Sequence, residues 1–223
     1  MGTALGIFGG TFDPVHYGHL RAANEVRGKL DLAELRLVPA RDPPHRGAPT
    51  ATARQRAAML ELAIGEFPHL RIDTREIERA GKSYTFDTLA ELRNEMPRRP
   101  IVLVVGADAF AGLPAWHRWL EIPSLAHIAV VTRPGTRVED ALHGPLAALW
   151  KDRLDDDVRQ LENGPAGAIF AVSVTPQPIS ATAIRAALAQ GRAGIERVRG
   201  LLPAVVLTYI DQHRLYRPDP DAS

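Results

Sequence analysis

Two histidines stand three residues apart, at positions 16 and 19, just behind a pair of glycines. All four lie in the stretch Gly6 to Leu20, GIFGGTFDPVHYGHL, which also carries Thr11 and Asp13. Imidazole N–H groups can meet negative charge as it develops on phosphate oxygens. At i and i+3 on the first turn of a helix, both rings face the same side. Gly9 and Gly10 let a backbone approach an anion, and a helix start adds unpaired N–H groups at the favourable end of its dipole. The chemistry on offer is the binding of a phosphate chain and the stabilisation of charge moving along it. Glycine pairs alone end many strands, and one histidine at a helix start is more often a packed or surface residue. The stretch fits neither the GxGxxG spacing nor a GxxxxGK[ST] loop.

A second anion-binding pattern lies near the other end, in Ile179 to Arg185, ISATAIR. Ser180 suits an N-cap. Ser180, Thr182 and the first free N–H groups of that helix can ring an anion, and Arg185, one turn in, can fork onto phosphate oxygens.

These groups need a frame. Short apolar runs at 4–8, 34–39, 70–73, 101–105, 127–132 and 168–174 read as strands, and IVLVV at 101–105 has the continuous β-branched character of a central parallel strand. Helices are expected at about 18–30, 52–66, 85–96, 180–190 and 203–213, with Thr85 as the N-cap of the third. Residues 138–163 read as a partly exposed helical region, with Asp155, Asp156 and Asp157 on a solvated face. Residues 40–50, 76–83 and 191–200 read as polar connections. Alternation of strand and helix predicts an α/β fold, a Rossmann-like doubly wound parallel sheet with helices on both faces and a small C-terminal helical part. We expect a single domain over 1–216, its helical subregion at about 180–216, and a tail at 217–223. In such a sheet ligands sit at the carboxyl ends of the strands, where loops 9–19, 106–108 and 133–135 converge.

Composition narrows the class. The 223 residues carry a net charge of +1 with charges mixed along the chain, which argues against a nucleic-acid or membrane surface. With no cysteine, disulfides and thiolate catalysis are excluded. No signal peptide or transmembrane helix is expected, so a cytoplasmic location fits. Oligomeric state is not legible.

His16-Tyr17-Gly18-His19 resembles the (H/T)xGH signature of nucleotidyltransferases, and ISATAIR resembles their ISSTxIR element, with Ala181 in place of the second serine. The middle of the chain resembles bacterial nicotinate-nucleotide adenylyltransferases: GKSYTFDTL at 81–89 is similar to GxSYTxDTL, GAD at 106–108 and LPAWHRW at 113–119 to GAD and LPxWxxW, and PPHR at 43–46 to PPHK. The resemblance runs in order from Gly6 to about Tyr216. It implies transfer of AMP from ATP to nicotinate mononucleotide, giving deamido-NAD and pyrophosphate. It also implies roles. His16, His19 and Arg185 would be catalytic. Gly9, Gly10, Thr11, His16, His19, Arg46, Gly106, Asp108, Ser180, Thr182 and Arg185 would bind ATP. Thr85, Trp116, His117 and Arg133 would bind the nicotinate nucleotide, Trp116 by stacking and Thr85 and His117 through backbone N–H groups. Trp119 reads as core, and Arg118 and Lys82 as exposed charges. Mg²⁺ would be held mainly by the ATP phosphates rather than by the protein. Two other readings stay open: a pantetheine-phosphate adenylyltransferase, and a non-catalytic nucleotide sensor on the same fold.

Overall fold

The computed structural model describes residues 2–42 and 49–217. In chain order these form β1 (Leu5–Gly10), α1 (Tyr17–Lys29), β2 (Glu34–Pro39), α2 (Ala53–Ala63), β3 (Leu70–Ile72), α3 (Arg75–Glu78), α4 (Thr85–Glu95), β4 (Ile101–Gly106), α5 (Ala107–Ala111), α6 (Ile122–Leu125), β5 (His127–Thr132), α7 (Gly144–Arg153), β6 (Ile169–Ser173), α8 (Ala181–Leu188), α9 (Arg192–Val198) and α10 (Ala204–Gln212). The strands make one six-stranded sheet in the order β3-β2-β1-β4-β5-β6, every pair parallel. The chain runs outward from β1 on one side and, after β4, outward on the other. The switch between β1 and β4 opens the crevice where such sheets take ligands.

Alternation along the strands builds two cores. Ile101, Leu103 and Val105 of β4, with Leu5 and Ile7 of β1, face a layer of Leu89, Leu92, Phe110, Ile122 and Trp150. Val102 and Val104, with Leu35 and Leu37 of β2, face a layer of Leu20, Val26, Leu60, Ile184 and Ile210. With both faces covered, the central strand β4 is apolar and buried from Ile101 to Val105, while polar residues such as Arg36, Arg71 and Ser173 fall on the outer strands.

Several expectations change. The polar stretch 76–83 opens inside the short helix α3, and Glu76 is buried, accepting from the Thr88 hydroxyl at 2.7 Å. The connection 191–200 contains α9, which packs Val198 into the core. The 138–163 region is helical only in parts: α7, and 3₁₀ turns at Val138–Ala141 and Val158–Glu162. Asp155 and Asp157 serve local turns there, Asp157 capping the second through the Arg159 N–H at 3.0 Å. Tyr84, not Thr85, is the N-cap of α4, and Thr85 is its first helical residue. Arg46 and His45 lie outside the described residues, as does the tail beyond Arg217.

Candidate active site

β1 ends at Gly10, and the chain reaches α1 through Thr11 to His16. A Cβ on Gly9 would meet nothing within 4 Å, and the same holds for Gly106 at the end of β4. Both strand ends therefore border open space at the switch point. Gly10 is constrained differently: a Cβ there would stand 2.9 Å from the Phe12 ring.

His16 is the N-cap of α1 and is buried, 5% exposed. Its ring stacks on that of His19, with centroids 3.7 Å apart and planes 25° from parallel. His19 Nδ1 accepts the His16 backbone N–H at 3.4 Å, which fixes its proton on Nε2 when the ring is neutral. His16 Nδ1 has no hydrogen-bond partner among the described residues. Burial pushes the His16 imidazole down to about 4, so near neutrality it is an uncharged ring with one N–H and one lone pair. Gly18 makes the stack possible: a Cβ there would lie 2.9 Å from His16 Cε1 and Nδ1.

The second anion pattern packs against the first. Arg185 donates from Nη1 to the Asp13 carbonyl at 2.6 Å and from Nη2 to the Thr182 hydroxyl at 3.4 Å. Ser180 caps α8, accepting the Ala183 N–H at 3.5 Å, and both Ser180 and Thr182 are exposed. Behind them lies a buried set that the sequence did not single out for a role. The Asp13 carboxylate accepts the Thr50 N–H at 2.8 Å, the Ala51 N–H at 3.1 Å and the Tyr216 hydroxyl at 2.8 Å. Arg56, fully buried, donates to the carbonyls of Thr11 (2.6 Å), Ala51 (3.2 Å) and Arg41 (3.3 Å). Asp13 was visible inside the first motif. Nothing in the spacing of Arg56 or Tyr216 marks them, since their roles come from contacts across the fold.

A second cluster forms where α4 begins. The rings of Tyr84 and His117 lie 4.7 Å apart, which brings Thr85 and His117, distant in sequence, to one place. Thr85, at the first position of an 11-residue helix, presents an N–H with no intrahelical acceptor. Trp116 and Trp119 are both half-buried and pack on the same core, so the expected division between site and core is not sharp. Arg118, exposed, lies 3.7 Å over the Phe86 ring and pairs with Glu121 at 2.5 Å. Ser83 ties this cluster to the chain beyond β2, accepting the Arg41 N–H at 2.9 Å while its own N–H donates to the Asp42 carbonyl at 3.2 Å. Asp108 lies exposed in the first turn of α5, and Arg133 is exposed beyond β5. His127 is structural: Nδ1 accepts the Ala168 N–H and Nε2 meets the Gly164 carbonyl, each at 3.0 Å.

Among the described residues, no three His, Asp or Glu side chains converge as a metal site. No described helix is long and apolar enough to cross a membrane.

The cytidylyltransferase-like family model matches residues 7–187, a span that begins in β1 and ends inside α8. A protein of Dechloromonas aromatica named probable nicotinate-nucleotide adenylyltransferase is 49% identical over 219 residues, covering 97% of this chain and 99% of the relative. A protein of Pseudomonas syringae with the same name is 48% identical over 223 residues, covering 98% of this chain and 96% of the relative. Among solved structures, Plasmodium falciparum nicotinic acid mononucleotide adenylyltransferase complexed with NaAD superposes with a TM-score of 0.70. It covers 96% of this chain and 97% of its own, and at 15% identity the likeness is one of fold.

Proposed function

The chain belongs to the nicotinate-nucleotide adenylyltransferase family, and from that premise we propose how its residues move AMP from ATP to nicotinate mononucleotide, giving deamido-NAD and pyrophosphate. The nucleophile is a phosphate oxygen of the mononucleotide, already anionic near neutrality. It forms a bond to the α-phosphorus of ATP as the bond to the bridging oxygen of pyrophosphate breaks. No proton has to be removed from the nucleophile, so no general base is required. What the protein must do is bring two anions together in line and meet the charge that shifts toward the leaving group.

The observation that carries this reading is the 2.6 Å hydrogen bond from Arg185 to the Asp13 carbonyl. It brings together, from 172 residues apart, the two segments that we read as binding one phosphate chain. In our reading ATP enters over Gly9, Gly10 and Gly106, its ribose beside Asp108. Its phosphates meet Thr11, His16, His19, Ser180, Thr182 and Arg185, with Arg46 as a further contact. The uncharged His16 and the Nε2 proton of His19 are preorganised donors. The nicotinate ring lies against Trp116, and its carboxylate takes backbone N–H groups of Thr85 and His117, with Arg133 toward the nucleotide. A small carboxylate suits the first turn of α4, where the helix dipole favours negative charge. The donor set fits a divalent ion that arrives on the triphosphate rather than one caged by the chain. Such an ion, Mg²⁺ in our reading, neutralises phosphate charge when bound. We place the reaction in the cytoplasm, in keeping with a chain that has no cysteine.

Pyrophosphate release, with ATP and Mg²⁺, on nicotinate mononucleotide, nicotinamide mononucleotide and pantetheine phosphate tests the proposal. Loss of a charge-assisted contact is worth about 1.5–3 kcal/mol, so kcat/KM for the acid should exceed that for the amide by roughly 10- to 100-fold. Equal rates on acid and amide would overturn the carboxylate site, and turnover of pantetheine phosphate alone would overturn the reading of the α4 cluster.

A further inference from the structure

The phosphate loop, residues 11–16, is braced by the far end of the chain. After α10 the backbone turns through positive φ at Arg214 (52°) and Tyr216 (63°), and this fold-back buries the Tyr216 side chain at 7% exposure. Its ring packs in the core beside α10, and its hydroxyl donates to Asp13 Oδ1 at 2.8 Å. Burial, with the Asp13 charge beside it, pushes the phenol well above its ordinary range, so it remains a donor wherever the protein is folded.

Asp13 is where the supports of the loop meet. Its carboxylate also holds the Thr50 and Ala51 N–H groups, its carbonyl holds Arg185, and Arg56 fixes the neighbouring Thr11 carbonyl. We propose that Tyr216 is a positioning residue for the phosphate site. Its hydroxyl fixes the Asp13 side chain, and through Asp13 it sets both the loop that carries Thr11 and His16 and the guanidinium of Arg185. The proposal rests on the reading of this edge as the triphosphate site and deepens it. The α4 cluster, which would take the nicotinate ring, supplies none of the hydrogen bonds to the Asp13 carboxylate given above and connects to the brace only at one remove, through Ser83, Arg41 and Arg56.

Tyr216→Phe keeps the ring in the core and removes only the hydroxyl. Binding of a non-hydrolysable ATP analogue, and separately of nicotinate mononucleotide, is measured by calorimetry on wild type and variant. Analogue affinity should fall about 10-fold, the scale of about 1.4 kcal/mol, while affinity for the mononucleotide stays within about twofold. Asp13→Asn should weaken the analogue similarly, and the double variant should add little, because the two residues act as one unit. Wild-type analogue affinity in Tyr216→Phe overturns the proposal, and so does equal weakening of both ligands, which marks a general loss of structure. Turnover separates this from the reaction assignment. A wild-type protein that binds the analogue but adenylylates no nicotinate mononucleotide refutes the assigned reaction, yet a selective loss in Tyr216→Phe still supports the brace.

Discussion

Gly18→Ala adds one methyl group to the site and should separate activity from stability. The new Cβ would lie 2.9 Å from His16 Cε1 and Nδ1, against an ordinary contact of 3.4–4 Å, so the ring has to move by about half an ångström. The ring is 5% exposed and stacked at 3.7 Å on His19, so His19 is carried along or the stack opens. For stability the two effects oppose each other. Overpacking costs about 1–3 kcal/mol, while replacing Gly by Ala in a helix returns up to about 1 kcal/mol. The net loss, roughly 0–3 kcal/mol, lowers Tm by no more than about 12 °C for a chain of this size. Catalysis has no such compensation, because a misplacement of about 1 Å costs on the order of 100-fold. We therefore expect kcat for pyrophosphate release to fall roughly 10- to 100-fold in a protein that still melts cooperatively within that range. Wild-type kcat with the substitution in place would refute the idea that the His16–His19 stack must hold its position.

Three further outcomes follow from the same geometry. Folded His16 titrates at about 4 against an ordinary 6.5, so between these values the unfolded chain takes up the proton and the folded chain does not. Stability from this group is full above pH 6.5 and is lost as pH falls toward 4, a span worth about 3 kcal/mol, so urea unfolding of His16→Asn should show a flatter pH dependence than wild type over that interval. Arg56→Met strips the donor from three carbonyls around a fully buried site and should cost about 3 kcal/mol or more in denaturant unfolding, whereas a loss below 1 kcal/mol would mean that water replaces the guanidinium. Trp116→Ala should raise KM for nicotinate mononucleotide about 10-fold with KM for ATP unchanged, and a rise in both would assign Trp116 to the core alone.

The parts of this protein that obey local rules were legible in its sequence. β2 and β5 fall on the residues their runs predict, because residues that cannot continue a strand close each one, Pro39 at the end of the first and Arg133-Pro134-Gly135 after the second. Both anion patterns were legible for a similar reason: glycine, an N-cap hydroxyl and a first-turn side chain act within a few residues of one another. The failures have the opposite cause. Glu76 reads as part of a polar connection until Thr88, twelve residues on, is seen to donate to it. α9 hides because its seven residues, RAGIERV, show little apolar period, and what holds it is Val198 in a core made by distant elements. Arg56 would pass for an exposed helical cation, yet it is buried under the phosphate loop, held by carbonyls from three separate segments. Tyr216 needs the whole sheet in place before its partner is within reach.

That last contact has a consequence in time. Asp13 and Tyr216 are 203 residues apart, and Arg185 follows Asp13 by 172. At about 5–20 residues per second, a ribosome spends on the order of 10–40 s between making the loop and making the phenol that braces it. β1, β2 and β3 can pair early, since they are consecutive, but β1 also waits for β4 to close its other edge. Through that interval the nascent chain carries both histidines without the arginine and the tyrosine that complete their setting. The order of synthesis thus delays the full set of contacts around Asp13 until residue 216 is made, and under the proposed function a shorter nascent chain meets ATP without a completed phosphate site.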